Sequence, residues 1–187
     1  MHNNKAFYTK LESLGICPEG ETEVFSEEIK CALFNLVISH LDANAWCLTC
    51  DMDEFHDYGV DFWQLVEDNP ICDNIYGMLI DRFARRGYHA LTSEPSLEDQ
   101  FPVCSNFSSE VLGAATHKIM AVKGGIEISL GHHYVKGRDF GKGGIGPFKI
   151  NHFKWDRSVL SRLKIGRGNV ASDAEAQRFF NNKGLVQ

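Results

Sequence analysis

A short acidic run, Asp51-Met52-Asp53-Glu54-Phe55, has the residue types and spacing best suited to chemistry. It follows residues 46–50, a short apolar run that we interpret as a buried strand. Alternate residues of an extended chain face the same way, so Asp51 and Asp53 could present two carboxylates to one point at the end of that strand. Such a pair repels unless a cation or a proton lies between the two groups, and carboxylate oxygens suit Mg2+ or Mn2+. We therefore expect Asp51 and Asp53 to bind a divalent metal, the alternative being an acidic turn that caps the next segment.

The run His152-Phe153-Lys154-Trp155 is the second candidate. If it is a strand, His152 and Lys154 share one face and the two aromatic residues take the other. The imidazole of His152 could then ligate the metal, and the ammonium group of Lys154 could neutralise phosphate charge. The alternative is an amphipathic edge strand with aromatic residues in the core.

Two adjacent histidines, His132 and His133, follow Gly131 in a stretch that we predict to be a strand. Adjacent strand residues point to opposite faces, so only one of the two can meet a given site. The competing interpretation is one surface histidine and one buried structural histidine. Which of His132, His133 and His152 would meet the metal stays open at this point.

Three further positions carry charges that could bind a substrate. Asp81 and Arg82 end an apolar strand, where they form either a structural ion pair or a carboxylate site for a sugar or an acceptor. Lys118 precedes an apolar pair and could meet a phosphate, although it could equally be a surface lysine.

The acidic loop at residues 96–102 could supply a general base. Asp99 is the candidate, and its neighbour Glu98 could take the same role. The alternative is an exposed acidic loop without a catalytic function.

The cysteines do not indicate a metal or redox centre. Cys47 and Cys50 form a CxxC pair, but three strand steps separate them by roughly 10 Å on opposite faces. A disulfide needs Cα atoms about 6 Å apart. We therefore expect reduced thiols.

The composition excludes several classes of protein. The chain has 187 residues, 43% of them hydrophobic, which suits one folded domain. With 19 basic and 25 acidic residues, its formal charge is −6, which does not favour nucleic-acid binding. No apolar run is long enough for a membrane span and no signal peptide is recognisable, so we expect a cytoplasmic protein.

The elements that must position these groups alternate between helices and strands, which predicts a single mixed α/β domain. Ser26 should cap an amphipathic helix over residues 27–41, with Ile29, Leu33 and Leu36 on its apolar stripe. The glycine-rich segment 137–146 should be flexible. The other predicted elements are helices at 5–14, 61–68, 156–163 and after Ser172, and strands at 74–83, 118–122, 127–135 and 148–155, the middle two forming a hairpin around Gly124-Gly125.

These motifs, in this order, resemble the family 2-type glycosyltransferases of the GT-A fold, whose signature is DxDEF. The resemblance covers roughly residues 29–163. Besides the acidic run, it rests on Gly77-x-x-x-Asp81-Arg82, Gln100-Phe101-Pro102, Lys118-Ile119-Met120, Gly131-His132-His133 and His152-Phe153-Lys154-Trp155. It implies a partial GT-A-like, Rossmann-like mixed sheet flanked by helices.

The resemblance also implies an activity, namely metal-dependent and inverting transfer of a sugar from a nucleotide-sugar donor to a glycan or another hydroxyl acceptor. Asp51 and Asp53 match the metal-binding pair, with Asp53 making the closer contact. His152 and Lys154 resemble the histidine and lysine that some GT-A enzymes place on the metal and the diphosphate.

The chain departs from the family at its start, because only about fifty residues precede Asp51. It resembles the catalytic and acceptor half without most of the nucleotide-binding half. Two alternatives follow: a non-catalytic or split form that binds a sugar or a partner chain supplying the missing half, and a metal-dependent phosphohydrolase.

Overall fold

The computed structural model describes residues 26–85, 92–111 and 113–155. Within these ranges the chain is mixed α/β, as predicted, with one six-stranded sheet and helices packed against it. The strands are β1 Trp46–Leu48, β2 Glu54–Asp57, β3 Asn74–Phe83, β4 Val103–Ser105, β5 His117–Lys123 and β6 Gly144–His152. The helices are α1 Glu27–His40, α2 Phe62–Asp68, α3 Leu97–Gln100 and α4 Phe107–Glu110, with a 3-10 turn at Leu130–His132.

Strand β3 is the centre of the sheet, whose order is β1-β5-β3-β6-β2. Its first half pairs with β5, and its last three residues pair with β4 along the same edge. On its other edge β3 runs parallel to β6, and every other pairing among the described strands is antiparallel. Strand β3 therefore has neighbouring strands along both edges, and its end lies beside the end of β6.

Helices α1 and α2 pack on opposite faces of the sheet. Ile38 of α1 belongs to a core cluster against which Tyr76 packs, whereas Leu65 of α2 belongs to a cluster that contains Ile75. Adjacent residues of a strand point to opposite faces, so the two helices cover different sides of β3. Both helices have the predicted side-chain caps, from Ser26 and from Asp61.

The buried face of α1 is not the one that the sequence predicts. Cys31 and Ile38 are buried, whereas Ile29, Leu33 and Leu36 are between 36% and 55% exposed. The helix carries apolar residues on both sides, so its periodicity alone did not determine which side faces the sheet.

Two predicted strands are wrong in detail. Strand β1 is a short edge strand with Leu48 half exposed, not a buried one, because it pairs only with β5. No second hairpin strand forms at 127–135, where the described chain has a single bridge between Ile128 and Val135. The 3-10 turn at Leu130–His132 interrupts the predicted strand, and Gly131 and His132 both have positive φ angles.

The remaining predicted elements agree with the structure in type or lie outside the described residues, whereas β2, β4, α3 and α4 were not predicted. Strand β3 has the predicted bounds, and β6 begins and ends earlier than expected, at Gly144 and His152. Hydrogen bonds attach the glycine-rich segment 137–146 to Asp73, Asn74 and Tyr76, and its flexibility stays a prediction. The helices expected at 5–14, 156–163 and after Ser172 lie outside the described residues. No helix that the structure describes has both the length and the apolarity needed to cross a membrane.

Candidate functional site

The acidic run forms a tight turn between β1 and β2, in which the Glu54 N–H donates to the Asp51 carbonyl at 3.0 Å. Because the turn is not extended, the two aspartates do not present their carboxylates to one point as predicted. Asp51 contacts two lysines, whereas Asp53 faces His152. The pair is therefore divided between two neighbouring groups of charges.

Asp53 and His152 are brought together by the β2–β6 ladder. Glu54 lies opposite His152 in the antiparallel register, and the Phe153 N–H donates to the Asp53 carbonyl at 2.8 Å. The Nε2 atom of His152 is 3.7 Å from Oδ2 of Asp53. Metal bonds to such atoms are about 2.0–2.2 Å long, so one ion can contact both atoms.

Asp81 orients the imidazole of His152 from the other side. In the parallel β3–β6 register Asp81 lies opposite His152, and its Oδ1 is 3.1 Å from Nδ1. With Nδ1 donating to this carboxylate, the Nε2 lone pair is directed away from Asp81. This carboxylate–histidine arrangement is usual behind metal-binding histidines.

Asp81 is a structural group here, although the sequence also allowed a substrate-binding role. It is 1% exposed and accepts hydrogen bonds from the Ser108 N–H at 2.6 Å, the Ser108 hydroxyl at 2.7 Å and the Trp155 indole at 2.7 Å. Together with His152 these donors occupy both carboxylate oxygens. The predicted pairing with Arg82 is not made, because the Asp81 carboxylate is taken by these four donors.

The pKa of His152 reflects these contacts. Burial by itself would lower it, but the hydrogen bond to Asp81 and the nearby carboxylate of Asp53 outweigh burial and raise the pKa above its ordinary value. A divalent ion in contact with Nε2 would require the neutral imidazole, so metal binding and protonation compete at this atom.

Two lysines neutralise Asp51. Lys118 of β5 lies 2.5 Å from Asp51 Oδ2 and 2.5 Å from Glu54 Oε1, and Lys30 of α1 lies 3.0 Å from Asp51 Oδ1. Burial would raise the pKa of Asp51, but the two ammonium groups outweigh it and lower the pKa to about 2. The second oxygen of Glu54 is buried, and none of the described residues forms a hydrogen bond with it.

These groups line a cavity of about 610 Å³ beside the end of β3. Lys154 lines it too, beyond the end of β6, as does His133 from the loop after the 3-10 turn. We call this space the charged cavity. Its charged or titratable side chains include Lys30, Asp51, Asp53, Lys118, His152 and Lys154.

Besides the buried Asp81, two predicted site residues do not line the cavity. Arg82 is held by the Phe101 carbonyl at 3.1 Å and by Cys104. Asp99 is exposed on α3, where it accepts a hydrogen bond from the Ser96 hydroxyl at 2.9 Å as part of the helix cap. Asp99 as the base stays a prediction, but its hydrogen bond is the one expected of a capping residue.

Sequence reasoning missed two residues that matter here. Lys30 is the single lysine of the amphipathic helix α1 and belongs to no motif, and its contact with Asp51 arises only from the way α1 packs. Ser108 lies in a short helix without a motif, and it reaches Asp81 because β4 and α4 return the chain to the end of β3. The thiols of Cys47 and Cys50 are unbridged, as predicted.

The residues fit a divalent ion that completes its coordination with a ligand. Within the described residues no group of three or more His, Cys, Asp or Glu side chains is arranged to hold a metal. Magnesium, however, is commonly held by one or two carboxylates together with substrate phosphates. Asp53 provides one such carboxylate and His152 adds an imidazole, whereas Asp51, held by lysines, is not free to add a second carboxylate in this arrangement.

No family model matches the chain, and neither a curated protein nor a solved structure is significantly similar to it.

Proposed function

We propose that this protein transfers a sugar from a nucleotide-sugar donor to a hydroxyl acceptor with the help of Mn2+ or Mg2+. The observation that carries the proposal is the pairing of Asp53 with His152, whose imidazole is oriented by Asp81 in a cavity that also presents Lys118 and Lys154. An ion held by two protein ligands would keep open coordination positions, and such an ion beside ammonium groups suits a diphosphate. The resemblance to GT-A glycosyltransferases supports the same conclusion, and with it the Rossmann-like identity of the sheet.

The residues divide the work as follows. Asp53 and His152 would hold the ion, which when bound stabilises negative charge on a leaving diphosphate. Lys154 would contact the diphosphate, and its ammonium group lies 5.1 Å from the centre of the Trp155 ring. Lys118 would neutralise the negative charge of Asp51 and Glu54, so that these carboxylates do not repel an anionic donor.

The turnover of nucleotide sugars tests the proposal. UDP-glucose, UDP-galactose, UDP-N-acetylglucosamine and GDP-mannose are incubated with Mn2+ and a panel of hydroxyl acceptors, and release of the nucleoside diphosphate is followed. We expect release from at least one donor and a fall of more than tenfold in kcat for Asp53→Ala. The exposed Asp139→Ala serves as the matched control and should keep its activity.

The phosphohydrolase alternative is separated in the same assay. Release of inorganic phosphate from p-nitrophenyl phosphate, without turnover of any nucleotide sugar, would replace the proposal by that alternative. Normal turnover by Asp53→Ala would remove the assigned role of the aspartate.

A further inference from the structure

His133 lines the charged cavity beside the first residue of β5 and plays no part in the function proposed above. Its Nδ1 atom lies 2.8 Å from the carbonyl oxygen of His117, the first residue of β5. A carbonyl can only accept, so Nδ1 carries the proton, and the Nε2 atom of the neutral ring has an unshared pair. Among the described residues no hydrogen bond reaches Nε2.

The chain around His133 adopts a costly conformation to place this ring. Gly131 and His132 are at φ of 70° and 58°, and the second value is unfavourable for a residue with a side chain. A Cβ atom on Gly131 would lie 2.7 Å from Nε2 of His133, so glycine makes room for the ring. Backbone strain of this kind clusters at functional sites.

The same turn buries its other histidine at a cost. His132 is fully buried, and neither of its ring nitrogens has a hydrogen-bond partner within the part of the chain that the structure describes. Its ring packs edge-on against the ring of Phe34, with 4.5 Å between the two ring centroids. Burial, with the nearby charge of Lys30, lowers the pKa of His132 to about 4, so this ring is a neutral packing group. Of the two adjacent histidines, His133 is therefore the one available to a ligand.

The carboxylates of the charged cavity are already engaged. Asp51 is bound by two ammonium groups and Glu27 pairs with Lys30 at 2.8 Å. Glu54 is 4% exposed and bound by Lys118, and Asp53 faces His152. A base that removes a proton must carry an unshared pair, and Nε2 of His133 carries one that no hydrogen bond from the described residues occupies, in a side chain that lines the cavity.

We propose that His133 is the base that takes the proton from the acceptor hydroxyl. The inference rests on the proposed function and names one of its catalytic residues. The acceptor oxygen forms a bond to the anomeric carbon, and the bond from that carbon to the diphosphate oxygen breaks with its electron pair leaving on the diphosphate. The hydroxyl proton passes to Nε2 of His133 and then to solvent, while the Nδ1 hydrogen bond to the His117 carbonyl keeps the ring in place.

Two variants separate catalysis from structure. His133→Ala removes the base, and added imidazole can replace it. His133→Asn keeps a side-chain N–H that can donate to the His117 carbonyl, so it preserves the fold if the alanine variant does not. The control is His40→Gln, which changes an exposed histidine of α1 whose side chain does not line the cavity.

The experiment measures nucleoside diphosphate release from the donor panel, together with calorimetric binding of UDP in the presence of Mn2+. We expect kcat to fall by about 10²–10⁴-fold for both His133 variants, with UDP affinity within threefold of wild type and with partial rescue of the alanine variant by imidazole. His40→Gln should stay within threefold of wild type.

Turnover by either folded His133 variant within threefold of wild type overturns the inference. An equal fall in UDP affinity also overturns it, because that result makes His133 a binding residue. If wild type itself turns over no donor, the proposed function fails and the base assignment fails with it, whereas an active wild type with unaffected variants removes only the base.

Discussion

Asp81 holds the imidazole of His152 through a hydrogen bond of 3.1 Å at a point where β3 and β6 run in parallel register. The contact joins two motifs that are 71 residues apart in the chain. It fixes which ring nitrogen faces Asp53, so the buried Asp81 carboxylate orients the side chain that we propose as a metal ligand.

The first prediction concerns this carboxylate. Asp81→Asn keeps the shape of the side chain but removes the charge that orients His152, and such outer groups typically contribute 10–100-fold to metal affinity. We expect Mn2+ affinity, measured by calorimetry with UDP present, to fall by about that factor. Asp139→Asn is the exposed control, and both variants are compared below their thermal midpoints. Unchanged Mn2+ affinity in a folded Asp81→Asn protein would show that Asp81 does not orient a metal ligand.

The second prediction concerns the buried ammonium group of Lys118. Lys118→Met removes the cation between Asp51 and Glu54 but keeps the apolar stem. Loss of one partner of a buried ion pair costs about 3–5 kcal/mol, so the free energy of unfolding in urea should fall by this amount. Lys149→Met, at an exposed position on β6, should change it by less than about 0.5 kcal/mol.

A double-mutant cycle sharpens this measurement. Adding Glu54→Gln to Lys118→Met removes the unpaired buried carboxylate, so the double variant should be more stable than additive losses predict, by about 0.5–3 kcal/mol. Strict additivity would mean that the two groups do not interact in solution.

The third prediction concerns the two faces of α1. Ile38→Ala opens space in the core beside Ile119 and Val122 and should cost about 2–5 kcal/mol of unfolding free energy. Leu36→Ala, at a position 55% exposed, should change it by less than about 0.5 kcal/mol. Equal losses for the two variants would show that the outer face of the helix is also packed in solution.

The same helix shows how far sequence reasoning reaches. Its bounds and its cap follow from Ser26 and the acidic first turn, which are local signals. Its orientation depends on which side meets the sheet, and apolar residues on both sides carry no information on that choice. The predicted hairpin failed for a related reason, because a turn at Gly131 and His132 that serves tertiary packing replaced a locally favourable strand.

The candidate site, too, could be predicted from the sequence only in part. Asp53, His152 and Lys154 were recognisable because few roles require an acidic pair, a histidine and a lysine in such short motifs. The separation of Asp51 from Asp53 was not predictable, since it depends on a turn whose geometry is set by β2 pairing with β6. Lys30 and Ser108 reach the site through register and helix packing, which leave no mark in the local sequence.

The fourth prediction tests the central claim that this cavity binds a diphosphate through a metal held by Asp53 and His152. Binding of UDP and of GDP is measured by calorimetry with Mn2+ present, again after removal of the metal with EDTA, and for Asp53→Asn beside the Asp139→Asn control. We predict that wild type and the control bind at least one nucleotide with Mn2+, and that EDTA or Asp53→Asn weakens this binding by at least tenfold. Equal affinity with and without the metal, or undiminished affinity in Asp53→Asn, would contradict the claim.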